Sequence, residues 1–445
     1  MKNSYIPKYF VQSENVHTEL AKHILADGFK FVPDFEKSQG AYIYDKITGK
    51  KYVDFFTCFA SMPFGFNHPK LNNPEFKDFI ALYALNKPSV SDVYPEMYAT
   101  FVKTFFTVAV PKHFKYAFFI EGGALAVENA LKVAFDWKVR LNFKKGYSEE
   151  KGTKIIHFQQ AFHGRSGYTI SLTNTDPRKI KYFPKFDMPR ILNPKLNFPI
   201  TEENLKFTLE QEELAINQIK QAFIDYKDDV AAIIIEPIQA EGGENHFRKE
   251  FFQELRLLAN QNEALLIFDE VQTGMGITGS MWYHEQLGVI PDIISFGKKM
   301  QVCGILVGNK IDNVKDNVFH ESSRINSTWG GNLIDMVRST RYLEIFEEDN
   351  ILENVNEAGK YLEEMMILLE NKYPHLVSNL RGAGLMRAFD IKSDLRQKFL
   401  DKCYENGLLI LACGSTSVRF RPNLAITKLQ LKEGIDIIDK ALQSM

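Results

Sequence analysis

Short apolar segments alternate with longer amphipathic ones through the middle of the chain, and this pattern constrains the fold more than any other feature. Helical patterns such as Ala124 to Trp137 and Phe251 to Asn260 lie between several of the apolar segments. Those segments are short and largely β-branched or aromatic, as buried strands are; they are 116–120, 154–158, 230–235, 265–268, 293–296 and 305–307. The alternation predicts an α/β fold, with a large, mostly parallel sheet and helices on both faces.

The two ends of the chain follow different patterns. Residues 41–44 and 51–55 flank a turn at Thr48-Gly49 and predict a hairpin. The last part predicts a smaller α+β domain, with helices at 351–371, 393–406 and from 428 to the end, and strands at 385–390, 408–411 and 418–421. We therefore expect an N-terminal segment, 1–70, that packs with a small domain, 336–445, and a large domain, 71–335, between them.

Composition excludes several classes of function. The 445 residues are 45% hydrophobic and 25% charged, and a net charge of −2 provides no basic surface for nucleic acid. The 4 cysteines form no CxxC pair, so we expect no metal site and a reducing compartment. The first 17 residues lack the apolar core of a signal peptide, and no apolar run is long enough to span a membrane. We expect a cytoplasmic protein without a membrane partner.

An acid and a lysine follow two neighbouring predicted strands. Asp269 comes directly after 265–268, and Lys298 and Lys299 come shortly after 293–296. Ligands of α/β sheets gather at the carboxyl ends of the strands. A pyridoxal phosphate site needs a lysine that condenses with the aldehyde and a carboxylate that partners the pyridine nitrogen. Taken alone, the pair fits a helix cap and a surface charge equally well.

Three further segments fit a site for an anionic, planar cofactor. Gly122-Gly123-Ala124 joins a strand to a helix, where free backbone N–H groups favour a phosphate. Phe162 could stack on a planar ring, and Arg165 could bind a substrate carboxylate. The run from Asn326 to Asn332 could bind an anion or form an ordinary turn.

Together these segments resemble the class III aminotransferases, which are fold-type I pyridoxal phosphate enzymes. The signature is carried by LIFDEVQTG at 266–274 and by PDIISFGK at 291–298. Within the class, the chain is most similar to the lysine 6-aminotransferases, through EGGALAVENA, FHGRSGYT, FPKFD, EPIQAEGG and NSTWGGN. The resemblance extends from about the hairpin to the VRFRP run at 418–422.

The resemblance implies a role for each matching position of the cofactor site. Lys298, rather than Lys299, would hold pyridoxal 5′-phosphate, and Asp269 would bind its ring nitrogen. Gln272 would bond the ring hydroxyl, and Phe162 would cover one ring face. The phosphate would be held by Gly123, Ala124 and, from the other subunit of a homodimer, Thr328 with Asn326.

The resemblance also implies the substrates, L-lysine and 2-oxoglutarate or L-glutamate. Arg165 would hold the carboxylate far from the reacting carbon. Glu241 would cover Arg419 when lysine is bound and move away for a dicarboxylate, because an unpaired buried arginine disfavours lysine. Arg421, two residues along the same strand, is an alternative to Arg419. The segment at 58–65 departs from the family pattern, because Met62-Pro63-Phe64 would add bulk at the edge of the pocket.

Other functions remain open from the residues. An ω-aminotransferase for ornithine or 4-aminobutyrate would differ in the distance between carboxylate and amine. A protein of another class would bind pyridoxal phosphate without catalysis. Our main hypothesis is transfer of the ε-amino group of lysine to 2-oxoglutarate.

Overall fold

The computed structural model describes residues 5–445 and contains three β-sheets. Residues 1–4, which begin the predicted N-terminal segment and the stretch compared with a signal peptide, lie outside the described residues. Among the described residues, no helix is both long enough and apolar enough to cross a membrane.

The largest sheet has seven strands and forms the centre of the molecule. Their order across the sheet is β3-β9-β8-β7-β6-β4-β5. Their bounds are β3 (Phe114–Ile120), β4 (Lys154–Phe158), β5 (Arg190–Ile191), β6 (Val230–Ile235), β7 (Leu265–Asp269), β8 (Ile293–Phe296) and β9 (Cys303–Gly308). Only β9 runs against its neighbours within this sheet. The predicted large, mostly parallel sheet is confirmed.

The strands are apolar along their whole length because helices cover both faces of the sheet. Every residue of β6 is buried. Ile233 and Ile235 belong to one hydrophobic cluster, and Ile234 belongs to a second cluster on the opposite face. This period of two divides the core of the large sheet into two layers.

Helices connect and cover these strands, and several are longer than their apolar patterns predict. The bounds of those of ten residues or more are Pro74–Ala84, Glu96–Val108, Gly123–Lys144, Glu202–Asp225, Lys249–Gln261, Leu333–Glu348, Ile351–Lys372, Ser393–Glu405 and Lys428–Gln443. Shorter helices are Val16–Ala21, Gly167–Leu172 and His284–Leu287, whereas Thr57–Ala60 is a left-handed turn. The helices predicted at 124–137 and 251–260 lie within Gly123–Lys144 and Lys249–Gln261.

The two smaller sheets join the ends of the chain. The predicted hairpin forms from β1 (Tyr42–Tyr44) and β2 (Lys51–Asp54). A four-stranded antiparallel sheet has the order β10-β11-β14-β13. Its bounds are β10 (Ser378–Ala383), β11 (Met386–Asp390), β13 (Leu411–Cys413) and β14 (Ser417–Phe420).

One predicted strand is wrong in detail. Residues 408–411 form two strands rather than one, because the chain changes sheets at Ile410. β12 (Leu408–Leu409) pairs in parallel with β2 of the hairpin, and β13 pairs with β14. The N-terminal hairpin thus contacts the C-terminal part. The domain bounds 1–70, 71–335 and 336–445 stay a prediction, and the second boundary falls within helix Leu333–Glu348.

The loop at 241–245 ties the small four-stranded sheet to the large one. Arg421 Nη2 donates to Glu244 Oε2 over 2.6 Å, and both side chains are buried. Arg381 donates from Nε to the carbonyl of Glu244 and from Nη2 to Asp390 Oδ1, over 2.9 Å each. Ionic contacts, rather than apolar packing alone, therefore fix this loop between the sheets.

Removing Glu244 should destabilise the protein far more than removing an exposed carboxylate. Glu244→Ala leaves a buried guanidinium unpaired, which costs about 3–5 kcal/mol. The control is Asp436→Ala, which breaks an exposed pair with Lys432 and should cost less than about 1 kcal/mol. Denaturant titration measures both changes in the free energy of unfolding. Equal small changes would contradict the assigned role of the buried pair.

Candidate active site

A cleft of about 800 Å³ opens at the carboxyl edge of the large sheet. Asp269 is the last residue of β7, and Lys298 follows β8 by two residues. Both line the cleft, as do Phe162 after β4 and Glu236 after β6. The structure thus brings Asp269, Lys298 and Phe162 together at one sheet edge, as the sequence predicts, and adds Glu236.

Asp269 is buried, and both of its carboxylate oxygens accept hydrogen bonds. Its Oδ2 accepts from His163 Nδ1 over 2.8 Å, and its Oδ1 accepts from Ser295 Oγ over 3.0 Å and from Val271 N over 3.2 Å. His163 Nε2 is buried without a hydrogen-bond partner among residues 5–445. These contacts fix the orientation of the carboxylate at the base of the cleft.

Lys298 and Lys299 differ in where their amines lie. Lys298 lines the cleft, and its backbone has φ 49°, in the left-handed region. Burial, reinforced by the charges of Arg419 and Arg421, lowers the pKa of Lys298 to about 8. Lys299 instead donates from Nζ to the carbonyl of Gln272 over 2.7 Å and does not line the cleft. Of these two adjacent lysines, Lys298 is the one available to a ligand in the cleft.

The start of helix Gly123–Lys144 forms another wall of the cleft. Gly122, at its N-cap, has φ 103°, which favours glycine, and no side chain caps the helix. The first N–H groups of the helix therefore remain available to an anion. A side chain at Gly123 would come within 3.2 Å of Val271 Cγ1, so the wall also needs its small residue there.

A buried carboxyl group, that of Glu236, fixes the backbone position of Phe162. Glu236 Oε1 accepts from the backbone N–H of Phe162 over 2.8 Å, and Oε2 accepts from that of Ala240 over 3.3 Å. Burial and the nearby Asp269 raise the pKa of Glu236 well above its usual range. The raised pKa favours the protonated form of Glu236 beneath Phe162.

A carboxylate between two cations forms the far wall. Glu241 Oε2 lies 2.9 Å from Arg419 Nη1, and Glu241 Oε1 accepts from Lys179 Nζ over 2.6 Å. Burial alone would raise the pKa of Glu241, but Arg419 and Lys179 outweigh it and lower the pKa. Arg419 itself is only 4% exposed. Of the two candidate arginines, Arg419 lines the cleft, whereas Arg421 pairs with Glu244.

The remaining predicted residues divide into two groups. Gln272 and Arg165 line the cleft; Gln272 Oε1 is buried without a partner among the described residues, and Arg165 is exposed. Asn326 and Thr328 are exposed and do not line the cleft of their own chain.

Phe59 lies on a backbone turn that the sequence did not predict. Thr57 to Ala60 all have positive φ, between 41° and 62°, a conformation that costs about 1–2 kcal/mol per residue. Asp54 Oδ1 accepts from Thr57 N, and Thr57 Oγ1 donates to the carbonyl of Arg421, over 2.7 Å each. The turn sets the Phe59 ring centroid 6.0 Å from Arg419 Cζ.

The expectation about Met62-Pro63-Phe64 is wrong. None of the three lines the cleft, and the Phe64 ring packs against Tyr342 and His68 instead. Phe59 and Ser61 are the lining residues of this segment. Sequence reasoning also missed the contacts of Lys179 and Glu236, which lie 62 and 74 residues from their partners and have no local signal.

The chain is similar to known proteins over nearly its whole length. Residues 26–442 match the model of the family described as aminotransferase class-III. The chain is a class III aminotransferase. It is 46% identical to the L-lysine-epsilon aminotransferase of Mycobacterium tuberculosis (strain ATCC 25618 / H37Rv), over 96% of this chain and 95% of that one. The structure of lysine aminotransferase from M. tuberculosis superposes with a TM-score of 0.95, covering 98% of this chain and 100% of that one at 45% identity.

A relative named for another amino donor is more distant. The human mitochondrial 4-aminobutyrate aminotransferase is 30% identical over 90% of this chain and 82% of its own length. The cofactor of this class III aminotransferase is pyridoxal 5′-phosphate, as the sequence predicted. The cleft fits that group, with an uncapped helix start for a phosphate, a fixed carboxylate for a ring nitrogen and an available amine for an aldehyde.

Proposed function

We propose that this aminotransferase transfers the ε-amino group of L-lysine to 2-oxoglutarate, giving 2-aminoadipate 6-semialdehyde and L-glutamate. The observation that carries the proposal is the ion pair of Arg419 with Glu241 in the wall of the cleft, which neutralises the arginine. The 46% identity to a protein named L-lysine-epsilon aminotransferase supports the same donor.

The cleft residues would divide the binding of pyridoxal phosphate among them. Lys298 would hold it, Asp269 would partner its ring nitrogen, and Gln272, with its unpartnered buried oxygen, would bond the ring hydroxyl. Phe162 would cover the ring, while the N–H groups at Gly123 and Ala124 would bind the phosphate. When bound, the cofactor supplies an aldehyde for the amino group and a ring that draws electrons from the reacting carbon.

Lys298 would move the proton of the reaction. With its pKa lowered to about 8, roughly a tenth of the amine is unprotonated at pH 7, and that fraction rises above neutral pH. Such a group serves both as general base and as general acid. Lys298 Nζ would take a proton from the substrate carbon that carries the amino group and return it on the other side of the transfer.

The arginines would allow two unlike substrates to share the cleft. Lysine presents an uncharged methylene chain beside its reacting ε-carbon, so Arg419 stays paired with Glu241. Glutamate and 2-oxoglutarate carry a carboxylate there, which Arg419 binds once Glu241 moves away. Arg165 would hold the other carboxylate of each substrate.

A second copy of the chain would complete the site. Thr328 and Asn326 are exposed in their own chain, and we assign them to the phosphate of the partner's cofactor in a homodimer. Large apolar side chains are also exposed along the N-terminal segment; they include Tyr5, Ile6, Tyr9, Phe10 and Leu25. Burial in a dimer would remove this surface from water. We place the dimer in the cytoplasm.

A panel of amino donors tests the proposed substrate. With 2-oxoglutarate as acceptor, kcat/KM should be highest for lysine and at least about tenfold lower for ornithine and 4-aminobutyrate, because the carboxylate-to-amine distance must match Arg165. Initial rates of glutamate formation measure this order. A higher value for ornithine or 4-aminobutyrate would refute the lysine assignment and leave the class intact.

The anchor assignment has its own test. Lys298→Ala should abolish the visible absorption of the bound cofactor and reduce turnover by several orders of magnitude, because both its attachment and the proton transfer depend on that amine. Lys299→Met, at a site away from the cleft, is the matched control and should retain the absorption band. Retention of the band in Lys298→Ala would contradict the assignment. A wild-type band that lysine fails to bleach would instead favour a non-catalytic, cofactor-binding protein.

A further inference from the structure

Lys179 is a charged residue of the cleft to which the reaction described above gives no role. It ends a short turn, Pro177–Lys179, that precedes β5 and is remote in sequence from β14. Its Nζ donates to Glu241 Oε1 over 2.6 Å, while Arg419 lies 2.9 Å from the other carboxylate oxygen. Glu241 thus has two counter-ions, which approach it from different elements of the fold.

The backbone of Glu241 leaves little room for the loop to move. Its carbonyl accepts from Gly414 N over 3.0 Å. The next residue, Gly242, packs so closely on Gln160 that a Cβ there would lie 2.1 Å from the Gln160 carbonyl oxygen. Movement of Glu241 away from Arg419 is therefore a rotation of its side chain.

Such a rotation has an electrostatic cost that Lys179 can reduce. The Glu241 side chain is only 29% exposed, and a carboxylate in that position is unfavourable without a counter-ion. Lys179, whose side chain is 26% exposed, lines the same cleft and holds the other carboxylate oxygen of Glu241. It can therefore remain bound to Glu241 when Arg419 is occupied by a substrate carboxylate.

We propose that Lys179 is a positioning residue that keeps Glu241 paired while Arg419 binds a dicarboxylate, and so favours the open state of the site. The proposal rests on the proposed function, in which Glu241 leaves Arg419 for 2-oxoglutarate and glutamate. Lys179 would therefore affect only the half-reaction in which glutamate or 2-oxoglutarate binds. Lysine leaves the Glu241–Arg419 pair closed and gains nothing from the second cation.

Half-reaction kinetics of the holoenzyme test this asymmetry. Lys179→Met should weaken apparent binding of glutamate and 2-oxoglutarate by about 5- to 30-fold, the effect of losing one charged hydrogen bond. The lysine half-reaction should change by less than about threefold. Lys179→Arg should restore most of the loss. Lys181→Met, at an exposed position of the same segment, is the matched control and should leave both halves unchanged.

A double-mutant cycle separates an effect of Lys179 through Glu241 from direct binding of substrate by Lys179. In a Glu241→Gln background, Lys179→Met should have no further effect on dicarboxylate binding, because the carboxylate that it holds is gone. Equal weakening of lysine and glutamate would overturn the proposal and indicate that Lys179 binds substrate directly. No change in either half would overturn it as well. If the wild type prefers another ω-amino donor, the lysine assignment fails, yet the same comparison with that donor still tests Lys179.

Discussion

Arg419 is a guanidinium buried in the wall of a cleft, and a buried positive charge requires a negative partner. Glu241 supplies that charge from the loop at 241–245. The same loop is fixed to the small sheet by Glu244 and Arg421 and to the large sheet by the close packing of Gly242 on Gln160. The arrangement joins two sheets and places a carboxylate of the protein on the guanidinium that we propose binds a substrate carboxylate.

The large sheet contributes the rest of the site through its carboxyl edge. Asp269 ends one strand, and Lys298 and Phe162 follow the ends of two others by two and four residues. Their environments give them different properties. Asp269 is held by three hydrogen bonds, whereas burial beside two arginines lowers the pKa of Lys298. One edge thus provides a carboxyl group of fixed orientation and an amine with a lowered pKa.

The sequence predicted those parts of the site that depend on local order along the chain. The strands at 154–158, 230–235 and 293–296 have the bounds that their apolar runs indicate, because both faces of the sheet are covered. Residues that follow such strands were therefore placed correctly. The prediction of one strand at 408–411 is wrong because its two halves join different sheets. This pairing depends on segments distant in sequence, so the local residue pattern does not indicate it.

Long-range contacts within the site were less accessible to prediction. The contact of Lys179 with Glu241 and that of Glu236 with Phe162 join segments far apart in sequence. The left-handed turn that carries Phe59 contains no glycine, so its residue types do not predict positive φ angles. The residues alone leave Arg419 and Arg421 as alternatives, and only the resemblance favours Arg419; in the structure both are buried, and their carboxylate partners differ.

The central claim is that Glu241 covers Arg419 for one substrate and uncovers it for the other. Single-turnover half-reactions of Glu241→Ala test it most directly. We expect the lysine half-reaction to lose at least about tenfold in efficiency, because Arg419 is left unpaired beside the methylene chain, and the glutamate half-reaction to stay within about threefold. An equal loss in both half-reactions, or an unchanged lysine half-reaction, would contradict the account.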